Sequence, residues 1–157
     1  MSDQTVAAWV EPVALRLEQS RQEIEQVASE VPANAWDKPS AYSGWSYKDQ
    51  VSHLAESHRG LHSVLRAIVA GQDTDFSRFD RIDEINEENR QKHLATPVEE
   101  LLAEYATASE ETRHIVSGLS VENAGFNLGP MTLSQALQGF TMHDIAHLEE
   151  LKKALQA

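Results

Sequence analysis

Seven histidines stand in a chain that has no cysteine, and two of them are spaced to act together. His143 and His147 lie four residues apart. At about 100° per helical residue they fall within about 40° of each other and one turn apart. Imidazoles so placed can both reach one metal ion, and HExxH zinc helices use the same step. Counted round the helix from Leu133, His143 falls at about 280° and His147 at about 320°, beside Phe140 at about 340° and Leu151 at about 0°. The pair therefore shares the apolar side, and polar rings turned into a core need partners. A lone histidine on such a face is more often hydrogen-bonded to a neighbour than a ligand. An inward pair shifts the balance towards metal, yet two imidazoles need a third or fourth ligand from elsewhere.

His53 is the best third candidate. It lies at the edge of an inward stripe beside Gln50, Ser57 and Gly60, where small residues leave room for a cavity. His58 is its rival, being more central in that stripe. It can equally be a buried histidine paired with Asp144, which faces inward at about 20°. His62, His93 and His114 read as surface or boundary residues. Asn86 and Asn89 share one side of a short helical stretch and could line a pocket opening, with Arg90 available for an anionic group. The plainer reading is that they cap and solvate that stretch.

These side chains are positioned by helices. Val6, Val10, Val13, Leu17, Ser20, Ile24, Val27 and Val31 recur at alternating steps of four and three, one inward stripe over about residues 4–30. Pro12 inside it should kink the first turns or mark the true start. Residues 32–44 form a loop that Trp36 and Tyr42 should anchor. Ser46 and Asp49 then open a second helix in capping-box spacing, with Val51, Leu54, His58, Leu61, Leu65 and Ile68 inward and a stop at Gly71. Residues 72–82 suit a long crossover. Thr96-Pro97-Val98-Glu99 reads as N-cap, first helical proline and capping glutamate of a third long helix ending near Gly118. Thr132 and Gln135 form a second capping box before a last helix running almost to the C-terminus.

Four helices of roughly 20 to 25 residues make rods of about 30 to 38 Å. No segment alternates with period two. The expected fold is all-α: an antiparallel-type four-helix bundle with a long crossover between helices two and three. One domain should span residues 1–157.

Composition narrows the function. A net charge of −12, from 25 acidic and 13 basic residues, opposes sequence-independent nucleic-acid binding and docking on anionic membranes. It also disfavours an open, strongly anionic substrate groove unless a metal and local arginines offset it. Without cysteine there is no disulfide, thiolate metal site or cysteine nucleophile. No apolar run is long enough to span a bilayer. Met1–Glu11 lacks the basic and apolar regions of a signal peptide, so a cytoplasmic protein is expected.

One histidine shortly after a Trp-Ser-x-Lys helix start, in WSYKDQVSHLAES, is followed ninety residues later by HDIAH after a GPMTL start. The chain resembles the DinB/YfiT-like metalloenzyme superfamily. Its middle segment, FDRIDEINEENRQKHLATPVEELLAEY, is similar to the branch holding the mycothiol-dependent maleylpyruvate isomerases. The resemblance covers nearly the whole chain. It implies a divalent metal, nickel or zinc, on His53, His143 and His147. The first position of the HxxxH pair is Glu in some isomerases of that branch. With His there, this chain follows the triple-His pattern, which weakens any carry-over of the isomerase substrate, and the extra C-terminal domain of longer isomerases is not expected. Better-understood members of the superfamily resemble transferases of bacillithiol, mycothiol or glutathione.

The expected partners are therefore a small-molecule thiol and an electrophile; the sequence leaves monomer and homodimer both open, although exposed residues of such bundles often form a dimer face. His58 and Asp144 are expected just behind the ligands, and Asn86 and Arg90 on the substrate. A metal-dependent hydrolase is the alternative, because water in the thiol's place would become hydroxide. A binding module or stress-related dimer, whose metal is structural or absent, is the third class. Metal binding requires neutral imidazoles, so loss of the ion is expected as pH falls through roughly 6 to 5.

Overall fold

The computed structural model describes residues 6–42, 44–74 and 76–157. The expectations for Met1–Thr5, including a helical start near residue 4, lie outside the described residues. All regular structure there is helical: α1 Val10–Glu30, α2 Tyr47–Val69, α3 Ile82–Lys92, α4 Val98–Ser117 and α5 Leu133–Ala154. Short 3-10 turns cover Ala33–Ala35, Ser77–Arg81 and Glu122–Gly125. No strand occurs among the described residues. No helix among them is long and apolar enough to cross a membrane.

Pro12 marks the true start of α1 rather than a kink. As third residue of the helix it sits where backbone N–H groups have no intrahelical acceptor, so its missing donor costs nothing. Extending the helix backwards would drive its ring into the carbonyl of residue 8. Val6 therefore leaves the expected stripe and is exposed. Thr96 also departs from expectation. The cap of α4 is Pro97, without a side-chain cap bond, and the Thr96 hydroxyl lies 3.5 Å from His93 Nδ1 instead.

The two helices that carry the histidine candidates start alike. Ser46 caps α2 with Asp49 returning the bond, and Thr132 caps α5 with Gln135 doing the same. Each cap residue also closes a tight loop through an isolated antiparallel bridge, Pro39 to Ser46 and Asn127 to Thr132. Both loops turn on a glycine with positive φ, Gly44 at 78° and Gly129 at 99°, a conformation that a Cβ disfavours.

Helices α1, α4, α2 and α5 follow one another round a ring, each packed on two neighbours, while α3 packs on α2. The apolar interior forms two clusters. One gathers Ile24, Leu54, Tyr105 and Leu151; the other gathers Leu17, Leu65, Ile115 and Leu137. Both α2 and α4 run from the first cluster to the second, whereas α1 and α5 run the other way. The neighbouring pairs α2–α4 and α1–α5 are thus parallel, unlike the antiparallel expectation. The connection through residues 70–97 is long enough to return the chain to the end where α2 began. Between the clusters lies a buried polar layer, with Ser20 from α1, His58 from α2, Thr112 from α4 and Asp144 from α5.

Candidate metal centre

His53 lies two turns beyond the Ser46 cap, and His143 and His147 lie on successive turns of α5. The α2–α5 contact brings the three rings together. His53 Nε2 is 3.0 Å from His143 Nε2, and His143 Nε2 is 3.2 Å from His147 Nε2. One ligand atom from each ring falls within 4.8 Å of the others. For metal–nitrogen bonds of about 2.0 to 2.1 Å, nitrogens on one ion stand about 2.9 Å apart at right angles and about 3.4 Å apart at tetrahedral angles. The two measured separations lie inside that range, so the residues fit a divalent ion.

The outer nitrogens are arranged to favour this. His147 Nδ1–H donates to the Gln50 amide oxygen at 3.0 Å, which leaves the Nε2 lone pair facing the other rings. His143 Nδ1 is buried without a partner, as is Asp144 Oδ1, and the two atoms lie 3.9 Å apart. Asp144 is itself fixed from behind. His58 Nε2 donates to its Oδ2 at 2.8 Å, and His58 Nδ1 lies 2.9 Å from the Thr112 hydroxyl, itself buried.

Burial pushes His53 down to about 4, helped by the nearby His143 ring and opposed by Asp144. Burial pushes His147 further, to about 3, with His143 and His53 adding to the effect. Both rings are therefore neutral over the physiological range, as a ligand must be. Burial alone would raise Asp144, but His143 and His58 beside it outweigh that and hold its carboxyl below the usual value.

Aromatic rings cover the cluster. Tyr42 stacks on His147 with centroids 5.1 Å apart, and Trp45 sits 5.0 Å from His53. Tyr42 is partly exposed, so it anchors its loop to the site rather than to the apolar core, where Trp36 is buried.

A cavity of about 350 Å³ opens beside His53 and His143, walled by Leu61, Phe79, Ile85 and Phe140. Asn86 and Asn89 line it, and so does Arg78. Arg90 is placed elsewhere. Its guanidinium is held by Glu87 at 2.8 and 2.9 Å and reaches Asp49 at 3.4 Å, which ties α3 to the start of α2. His93 is buried and bonded to Glu56 at 2.8 Å, while half-buried His62 contacts Thr112 at 2.8 Å. Both belong to inter-helix seams. The sequence does not mark Arg78, because a single arginine in a polar turn carries no periodic signal.

The model of the mycothiol maleylpyruvate isomerase N-terminal domain family matches residues 17–147. This chain belongs to that family. The match takes in all three converging histidines, the whole of α2 and α5 as far as His147, and it places the chain in the DinB-like superfamily. As a mycothiol maleylpyruvate isomerase N-terminal domain family member, the chain carries a three-histidine cluster capable of holding a metal ion. Comparison with curated proteins and with solved structures gave no match.

Proposed function

We propose that this chain is a divalent-metal enzyme, working with nickel or zinc, that transfers a low-molecular-weight thiol to a small electrophile. On this reading its four long helices form the DinB-like bundle, with residues 70–97 as the crossover, and it acts in the cytoplasm. The observation that carries the proposal is the convergence of three Nε2 atoms, two of them, from His53 and His143, on rings that line a cavity of small-molecule size. A closed structural site would have no reason to open on one.

A divalent ion held there supplies Lewis acidity, which lowers the pKa of a thiol placed beside it. The chain's own residues do the rest. Gln50 holds His147 in the tautomer that presents Nε2. Asp144, braced by His58, offers its unpartnered oxygen to His143 Nδ1–H, so a small ring movement satisfies both orphaned atoms. Leu61, Ile85 and Phe140 give the reacting groups an apolar wall that excludes water. The chain has no cysteine, so the thiol arrives with the substrate.

The test is metal content, thiol-transfer rate and helicity of wild type and His147→Ala, both purified without a tag or chelator. Wild type is expected to carry about one ion per chain. The variant is expected to lose ion and activity while keeping its helices, which rest on the apolar clusters. Lost ion with unchanged activity would overturn the proposal, and lost helicity with lost ion would favour a structural site.

A further inference from the structure

Six arginines, at positions 21, 59, 66, 81, 90 and 113, each face a carboxylate within ion-pair distance. Arg16 and Arg78 have no such partner among the described residues, and of the two Arg78 is half-buried and lines the cavity beside the histidine cluster. Its guanidinium lies on the backbone of α2. Nη1 donates to the Gly60 carbonyl at 3.3 Å, and a Cβ at residue 60 would meet Nη2 at 3.0 Å. An arginine has five N–H donors in a planar fork, and among the described residues one long bond uses one of them. The carboxylate that shares the cavity, Glu56, accepts from His93 and Arg59 on one oxygen, Oε1, both at 2.8 Å. Across the cavity the side-chain amides of Asn86 and Asn89 make no hydrogen bond to the described residues and add donors of their own. In a chain of net charge −12, a cation lining an apolar-walled cavity with no carboxylate in ion-pair range among the described residues is a place for one anionic group.

We propose that Arg78 is a specificity-determining residue that binds a carboxylate on the small molecule reacting at the histidine cluster. The ligand is thus a short amphipathic acid: carboxylate on Arg78, apolar body along Ile85 and Phe140, reactive end towards His53 and His143. The inference rests on the proposed function, since only a reaction at the cluster makes this cavity a substrate site. The carboxylate belongs either to the thiol or to its acceptor.

Two probe pairs separate those sources, and each compares an acid with its neutral amide: 3-mercaptopropionate with 3-mercaptopropionamide, and 4-phenylbutyrate with 4-phenylbutyramide. Dissociation constants are measured by calorimetry on the full chain with nickel added. In wild type the acid of at least one pair is expected to bind about tenfold or more tighter than its amide. The thiol pair assigns the carboxylate to the nucleophile and the phenyl pair assigns it to the acceptor. Arg78→Gln is expected to abolish the preference, and Arg78→Lys to retain part of it. Arg78→Met, which keeps the apolar stem, replaces Gln should that variant lose helicity. His147→Ala is expected to keep the preference, which excludes direct carboxylate binding to nickel as its source. No preference in wild type, or a preference that survives in Arg78→Gln and Arg78→Met, overturns the inference. Nickel content of the same samples reads the proposed function separately. A chain that holds no nickel yet shows an Arg78-dependent preference has an anion site without the reaction centre, whereas a nickel-loaded chain without preference has the reverse.

Discussion

Gln50 has no solvent-exposed surface, and its amide oxygen decides which nitrogen of His147 carries the proton. Without that acceptor the ring can flip or change tautomer, and the lone pair no longer faces the other imidazoles. Gln50→Ala is therefore expected to weaken metal binding by about 10- to 100-fold, the usual loss when a histidine ligand loses its outer partner. Gln50→Glu keeps an acceptor and should restore most of the affinity. Competition with a chelator of known affinity measures both, and equal affinity in wild type and Gln50→Ala would show that packing alone orients the ring. Residue type and spacing made His143 and His147 legible as a pair, because four residues is one helical turn. They ranked His53 above His58 without excluding the latter, since both lie on or beside the inner stripe of α2. What separates them is register across the helix pair. His58 meets Thr112 and Asp144 in the buried layer, whereas His53 meets the α5 pair at the cavity wall.

At the scale of elements, the phase of each ligand-bearing helix is set at its first turn. Ser46 and Thr132 are at once N-cap, capping-box partner and bridge residue, so α2 and α5 leave their loops at defined rotations. Ser46→Ala is expected to cost about 1 kcal/mol of stability and to weaken metal binding as well, because His53 is only two turns on. Chemical denaturation and metal titration of the variant check the two effects. A stability loss with unchanged affinity would show that the α2–α5 packing, not the cap, holds the phase. Both boxes were readable from sequence because they are local, two residues three apart. The Thr96 cap was not formed although its pattern was equally local. There the chain turns one residue later, and the hydroxyl goes to His93. Local signals name candidate starts, and packing chooses among them.

For the molecule as a whole, the neutral imidazoles link folding to acidity. In the unfolded chain His53 and His147 titrate near 6.5, but the fold holds them at about 4 and about 3. The unfolded state therefore takes up protons first as pH falls. Stability tied to these rings is complete above about pH 6.5 and drains away as pH drops towards about 3 to 4, where the folded rings also protonate. Thermal midpoints of chelator-treated protein between pH 7 and pH 4 are expected to fall, and more shallowly in His147→Ala. Equal slopes in the two proteins would remove these rings as the cause. Two depressed pKa values also move proton competition for the ion below the window of roughly pH 6 to 5 that ordinary imidazoles imply. The directions of α2 and α4 and the place of Arg78 are properties of this same scale. No periodicity within a helix reports which neighbour it meets or which way that neighbour runs.

Trp45, 5.0 Å from the His53 ring, gives the centre an optical readout of its own. An excited indole so close to an open-shell ion loses its energy to low-lying d–d states, whereas closed-shell zinc offers none. Nickel on the cluster should dim the emission of Trp45, and zinc should at most shift its colour. Trp36 lies buried in one apolar cluster, and Trp9 is bonded to the Ser120 carbonyl beside the other. Those two supply a background, against which Trp45→Phe should erase the nickel response alone. The identity of the ion can then be read as light from the unlabelled chain.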